Sequence, residues 1–364
     1  MDRSGWIGRV LEEYRLLLLD QRGTGLSSPV TGQTVKTSSE DPRKQADMLK
    51  LFRADSIVAD CELIRRQLCG DEPWTVLGQS YGGFCLAHYL SAAPEGLAGG
   101  MFTGGLPPLV DSVDDVYRAT YPIVMERNRL YYERYPGDVD LVRRIAAHLV
   151  EHDVRLPSGD RLTTRRLQSL GLNLGFSDGA ETLHYLFEEA FCAGPSGAFL
   201  SRTFLKGFEN AQTFDTNPIF LALHEACYTQ GFASRWSADR LRAEFPAFDD
   251  PGDGPLHFTG EMIYPWMFDE IGALEPLREA AHLLAEDEDW PVLYDPEVLA
   301  RNEVPCAAAI YTGDMYVERN FSEETARRIR GLKPWITNEY EHNGLRSNGP
   351  HVVGHLLDLM HGKA

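Results

Sequence analysis

A single serine sits where a strand-like run turns into a helix-like one. Residues 74–77 read as a buried strand, residues 81–93 as a helix that Pro94 helps to end, and Gly78-Gln79-Ser80-Tyr81-Gly82 joins them. A chain that passes directly from strand to helix is strained at the turn, and glycines beside the central residue remove Cβ atoms that would clash. G-x-S-x-G in this setting predicts a Ser80 hydroxyl exposed at a helix N-terminus, with the Tyr81 N–H and the helix dipole facing any oxyanion that develops there.

The surrounding sequence keeps an α/β rhythm. Residues 15–20 (RLLLLD) read as a buried strand stopped by Gln21-Arg22-Gly23-Thr24-Gly25, and residues 55–69 as a helix with Ile57, Val58, Cys61, Ile64 and Leu68 on one face. Residues 97–103 form a third expected strand. From about 110 to 290 the character becomes helical, as in 142–151 and 273–284, with acidic, Gly/Pro-rich joints and few strand-like runs. The rhythm resumes with a strand at 306–312, a helix at 323–330, a strand at 335–340 and a closing helix at 350–360. The expected architecture is a mostly parallel sheet flanked by helices and built from two pieces, 1–109 and 291–364. A helical cap at 110–290, suited to substrate selection, interrupts it.

A serine hydroxyl at neutral pH needs a base, and sheets that carry this turn supply the partners downstream in the order Ser, Asp or Glu, His. Asp314 stands just past the 306–312 strand, where catalytic groups of open parallel sheets gather, and Glu318 is the fallback acid. Of the histidines beyond Asp314, His351, His355 and His361 fall on or after the closing helix, whereas His342 lies in the loop after the 335–340 strand. Ser80, His342 and Asp314 are therefore expected as nucleophile, base and acid, with Tyr81 as oxyanion donor.

The net charge of −19, with no Lys/Arg run, excludes a phosphate-backbone or anionic-membrane binder and suits a cationic substrate. The longest aliphatic run, residues 16–19, is far short of the roughly 20 apolar residues a membrane helix needs, and Glu12, Glu13 and Arg15 break any signal-peptide core. A cytoplasmic location is expected. Six cysteines without C-x-x-C spacing read as reduced and mostly buried. H-x-x-E-H at residues 148–152 lies in a charged helical stretch, H-V-V-G-H at 351–355 lacks the glutamate, and Gly23-Thr24-Gly25 runs into Ser28 and Pro29 with no helix opening. Neither a metal nor a cofactor is expected, and the oligomeric state is left open.

With these residues in line, the chain resembles the proline iminopeptidases, serine peptidases of the α/β-hydrolase fold. The stretches that carry the likeness are DQRGTGLSSP (20–29), GQSYGGF (78–84), FTGGLPPL (102–109), TGEMIYPWMF (259–268), YTGD (311–314) and EYEHNGLR (339–346). The resemblance implies release of an N-terminal proline from peptides through an acyl-enzyme on Ser80. It further implies cap-domain glutamates that hold the protonated imino nitrogen, for which Glu225 and Glu261 are the positional matches. Tyr264, Trp266 and Phe268 would wall an apolar slot for the pyrrolidine ring.

Members of that family have further strands before DQRG and a His-Gly-Gly-Pro-Gly-like loop that supplies a second oxyanion donor, and neither is present here. The fold is thus expected to be N-terminally incomplete, lacking a strand between the DQRG strand and the Ser80 strand, and Met1 is expected to be internal to a longer product. Two other readings stand beside the peptidase: a different esterase or amidase on the same fold, and an inactive truncated copy that only binds peptide.

Overall fold

Six strands form among the residues described by the computed structural model, which are 5–195, 197–249, 252 and 254–363: β1 (Trp74–Gln79), β2 (Leu97–Thr103), β3 (Phe191–Gly194), β4 (Gly197–Leu200), β5 (Cys306–Tyr311) and β6 (Lys333–Thr337). Four of them make a parallel sheet in the order β1-β2-β5-β6. The central strands β2 and β5 are buried because they are largely apolar on both faces, as parallel strands covered by helices must be, whereas β1 is half-buried and β6 largely exposed at the two edges. Along β5, Cys306, Ala308 and Ile310 pack with Leu86 and Leu90 of the Tyr81–Ala92 helix. Its alternate residues Ala307, Ala309 and Tyr311 pack with Val352, Val353 and Leu356 of the Gly349–Met360 helix. Since all four strands run the same way, the ends that lead to Ser80, Asp314 and His342 open along one rim.

The expected strands at 97–103 and 306–312 form within a residue of those limits. The one expected at 335–340 forms earlier, at Lys333–Thr337, because its ladder with β5 starts at Ala307↔Lys333 and ends at Tyr311↔Thr337. The buried strand expected at 15–20 does not form. Its leucines Leu17, Leu18 and Leu19 are 50%, 48% and 41% exposed. β1 is an edge strand with no described strand on its outer side, so this run has no ladder to join. The loop that follows is anchored nevertheless: Arg22 forks onto Asp60 at 2.5 and 2.6 Å, and Asp20 Oδ2 accepts the Leu26 N–H at 2.9 Å.

Between β2 and β5 the chain is largely helical, with the long Val113–Arg134 helix, the Asp138–Glu151 helix and the Arg278–Ala285 helix. The β3–β4 hairpin also lies here, which the sequence pattern did not announce. This region has its own aromatic core, including Tyr121, Phe187, Phe204 and Phe258, separate from the two that cover the sheet. All six cysteines are free, and Cys69 and Cys192 are exposed rather than buried. Among the described residues no helix is long and apolar enough to cross a membrane.

Leu356 is fully buried against β5, so Leu356→Ala should lower stability by about 2–5 kcal/mol. Leu18→Ser should change it by less than about 0.5 kcal/mol. Urea denaturation of the two variants checks this, and equal effects would mean that the 15–20 run is packed after all.

Candidate active site

Ser80 adopts φ 52°, ψ −124°, a left-handed backbone that a non-glycine residue holds only under constraint. The constraint is visible: the Ser80 N–H donates to the Thr103 carbonyl of β2 at 3.0 Å, and the Ser80 carbonyl accepts the Gly83 N–H at 2.8 Å. Tyr81 and Gly82 open the helix, where N–H groups have no intrahelical acceptor and remain free to meet an anion. The two motif glycines differ in why they are there. A Cβ on Gly78 would lie 2.3 Å from the Gly82 carbonyl oxygen, whereas one on Gly82 would meet nothing within 4 Å.

Asp314 and His342 come together as expected. His342 Nδ1 and Asp314 Oδ2 are 2.7 Å apart, and both side chains are buried. Asp314 Oδ1 accepts the Tyr316 and Val317 N–H groups at 2.9 and 3.0 Å, so the carboxylate is held in one orientation. Glu318, the fallback acid, is consumed elsewhere: it caps the Arg319–Arg328 helix by accepting the Phe321 N–H at 3.0 Å. The turn after β2 forms a floor between Ser80 and the Asp314–His342 pair. A Cβ on Gly104 would lie 3.2 Å from both Asp314 Oδ2 and His342 Nδ1, and one on Gly105 would lie 2.5 Å from the Ser80 carbonyl oxygen. Among the described residues no hydrogen bond within 3.5 Å joins Ser80 Oγ to His342. With Nδ1 engaged by Asp314, Nε2 is the ring nitrogen left for proton transfer, a contact that commonly tightens only when substrate is bound.

Ser80 and Tyr81 line a cavity of about 260 Å³ whose other walls include Gly23, Thr24, Phe52, Phe84, Ile219 and Glu261. The Glu261 carboxylate has no hydrogen bond or ion pair among the described residues. Burial pushes its pKa up to about 7, with His342 pulling it down and Asp314 adding to the rise. Burial opposes the charged form of His342 too, but the charge and hydrogen bond of Asp314, with Glu261 adding, outweigh it and raise its pKa above the ordinary 6.5. His224 also faces the cavity. Burial lowers its pKa to about 4, so it is a neutral wall residue, and its ring bonds to the Glu261 backbone.

Four of the residues assigned to substrate by resemblance are not among those lining this cavity. Glu225 points the other way, and its two carboxylate oxygens accept the Ser237 and Ala238 N–H groups at 3.1 and 3.0 Å, which caps the Ser237–Arg242 helix. Tyr264 is buried with its hydroxyl 3.0 Å from that of Tyr121. Trp266 stacks on Tyr264 and lies under the Arg165 guanidinium, and Phe268 packs against Trp236 in the helical core. Among the wall residues passed over in the sequence are His224, Cys227 and Tyr228. Their spacing i, i+3, i+4 marks one face of a helical turn, opposite to Glu225, and is the signal that could have found them.

A strained serine at the carboxyl end of a parallel strand, beside a histidine–aspartate pair from two later strands, defines an α/β-hydrolase. In agreement, the family model described as alpha/beta hydrolase fold matches residues 3–187. The chain is 52% identical over 356 residues to a proline iminopeptidase of Aeromonas sobria, covering 98% of this chain and 82% of that protein. It is 37% identical over 361 residues to a proline iminopeptidase of Aspergillus aculeatus, covering 97% and 80%. A solved proline iminopeptidase of Mycobacterium smegmatis aligns over 94% of this chain and 78% of its own, at 14% identity and a TM-score of 0.43. The chain belongs to the proline iminopeptidase family.

Replacing the Glu225 carboxylate strands two buried N–H donors, so Glu225→Ala should lower stability by about 1–3 kcal/mol. Hydrolysis of a small acyl ester by the folded variant should stay within about twofold of wild type, since the Glu225 carboxylate does not line the cavity. Thermal melts together with ester kinetics check both parts.

Proposed function

We propose that this chain is a serine aminopeptidase that releases an N-terminal proline, with Ser80 as nucleophile, His342 as base, Asp314 as its orienting acid and Glu261 as the site for the substrate's imino nitrogen. The observation that carries the reading is Glu261, a carboxylate with no cationic partner in the wall of the cavity that holds Ser80. An unpaired carboxylate there is costly, and a protonated pyrrolidine nitrogen offsets that cost by a charge-assisted hydrogen bond. The apolar walls Phe52, Phe84 and Ile219 suit the ring methylenes. The names of the Aeromonas and Aspergillus relatives support the same activity.

In this mechanism His342 Nε2 takes the Ser80 proton as Oγ bonds to the prolyl carbonyl carbon. The carbonyl oxygen becomes an oxyanion held by the Tyr81 N–H and the helix N-terminus. Asp314 fixes the imidazole tautomer and stabilises the imidazolium. The tetrahedral intermediate collapses as His342 gives its proton to the departing amine, leaving prolyl-Ser80. Water, deprotonated by His342, then attacks the ester and frees proline and the Ser80 hydroxyl. The six free cysteines support a reducing, cytoplasmic setting for this chemistry.

Ser80→Ala should abolish labelling by a fluorophosphonate, read on a gel, and labelling that persists would displace Ser80 from the nucleophile's role. His342 acts only when neutral, so its raised pKa predicts a kcat/KM for acyl esters that climbs with pH through a value above 6.5. Glu261→Gln removes a negative charge that favours the imidazolium, so this limb should move to lower pH. The same variant should raise KM for proline p-nitroanilide by about 10- to 100-fold and leave KM for an uncharged ester nearly unchanged, as loss of a charged hydrogen bond implies. An equal rise for both substrates would remove Glu261 from the amine site.

A further inference from the structure

Arg127 projects from the Val113–Arg134 helix toward the acid and base without lining the cavity. Its Nη1 donates to Glu341 Oε1 at 2.8 Å, and its Nη2 donates to Glu341 Oε2 and to the Gly313 carbonyl. Glu341 is the residue before His342, and Gly313 is the residue before Asp314. One guanidinium, 16% exposed, therefore ties together the two loops that end in the acid and the base. Gly313 is fitted to this contact, since a Cβ there would lie 2.6 Å from Arg127 Nη2.

The far side of His342 is held from the same inserted region. Asn343 Oδ1 accepts the Ser177 N–H at 3.0 Å and its hydroxyl at 2.8 Å. Tyr316, edge-on to the His342 ring at 4.6 Å, donates its hydroxyl to the Leu172 carbonyl. The sheet holds these loops by the Thr312 N–H on the Thr337 carbonyl at 2.9 Å and by Gln79 Nε2 on the His342 carbonyl at 3.5 Å, and the contacts from the inserted region brace them from the other side.

We propose that Arg127 is a positioning residue that fixes the separation of Asp314 and His342 by bridging Gly313 and Glu341, so that the helical insertion completes the catalytic pair. The proposal rests on the serine-peptidase reading above, and it concerns the pair rather than the substrate. A planar fork is needed to serve three acceptors in two loops, which lysine cannot reproduce.

The test compares wild type, Arg127→Met, Arg127→Lys and Glu341→Gln on proline p-nitroanilide and on an acyl ester, with melts for each. It adds the low-field Nδ1–H proton resonance of the His–Asp bond, which needs no turnover. Arg127→Met should lower kcat about 10- to 100-fold on both substrates, the loss expected of a misplaced catalytic group, with KM within about twofold. Arg127→Lys should recover part of that loss, and the low-field resonance should broaden or vanish in Arg127→Met. Glu341→Gln, which keeps an acceptor, provides a milder version if Arg127→Met fails to fold. A lowered melting point with kcat and resonance unchanged would overturn the proposal, as would a KM rise confined to the proline substrate. If wild type cleaves the ester but not the proline substrate, the aminopeptidase reading fails while the ester kinetics and the resonance still decide the role of Arg127.

Discussion

The pairing of β2 with β5 is the contact on which the site depends. Residues Gly100–Thr103 and Cys306–Ala309 meet across some two hundred intervening residues, and that junction sets the turn after β2 between Ser80 on one side and Asp314 on the other. Closing so long a loop costs surprisingly little beyond a short one, since each doubling adds only about 0.6 kcal/mol. The insertion is thus tolerated thermodynamically provided it folds upon itself, and its separate aromatic core meets that condition. Parallel direction does the rest. Strands that run the same way deliver their carboxyl ends to one rim, and three residues distant in sequence converge without any special loop.

The electrostatics of the rim follow from that convergence. Asp314 spends one oxygen on two backbone N–H groups and the other on His342, leaving it with no capacity to neutralise anything else. Glu261 enters the same field from the insertion, where both burial and the neighbouring Asp314 oppose its ionisation. The result is one carboxylate locked in service to the imidazole and a second that gains most from a cation. The difference lies in the surroundings: hydrogen bonds hold Asp314, whereas Glu261 is buried without a partner among the described residues.

Much of this was legible in the sequence, and the limits have a physical cause. Ser80, Asp314 and His342 are set by local rules: a turn that only certain residues fit, and loops that leave the ends of apolar strands. The strand at 97–103 was readable because two-sided burial leaves an unbroken apolar run. The same rule misread residues 15–20, since an apolar run makes a strand only where a neighbour offers a ladder, which β1 does not among the described residues. The cavity wall was harder. In HEACY the direction of each side chain depends on how one short turn sits on the insertion, so the conspicuous Glu225 faces a helix end while the plainer His224, Cys227 and Tyr228 face the cavity. In TGEMIYPWMF only Glu261 reaches the cavity, and the aromatics fill the core.

On the proposed reading, the insertion acts on the reaction in two ways that sequence order disguises. It supplies much of the cavity wall and presents Glu261, the proposed site for the substrate's nitrogen. It also braces the loops of the proposed acid–base pair through Arg127, Ser177 and Leu172, contacts made by a guanidinium, a loop amide and a backbone carbonyl that no motif records. A sheet rim alone leaves Asp314 and His342 at the ends of two loops with the freedom that loops have. Bracing them from the element that also shapes the substrate slot makes cleft geometry and proton transfer depend on the same packing, so a shift of the insertion changes recognition and rate together.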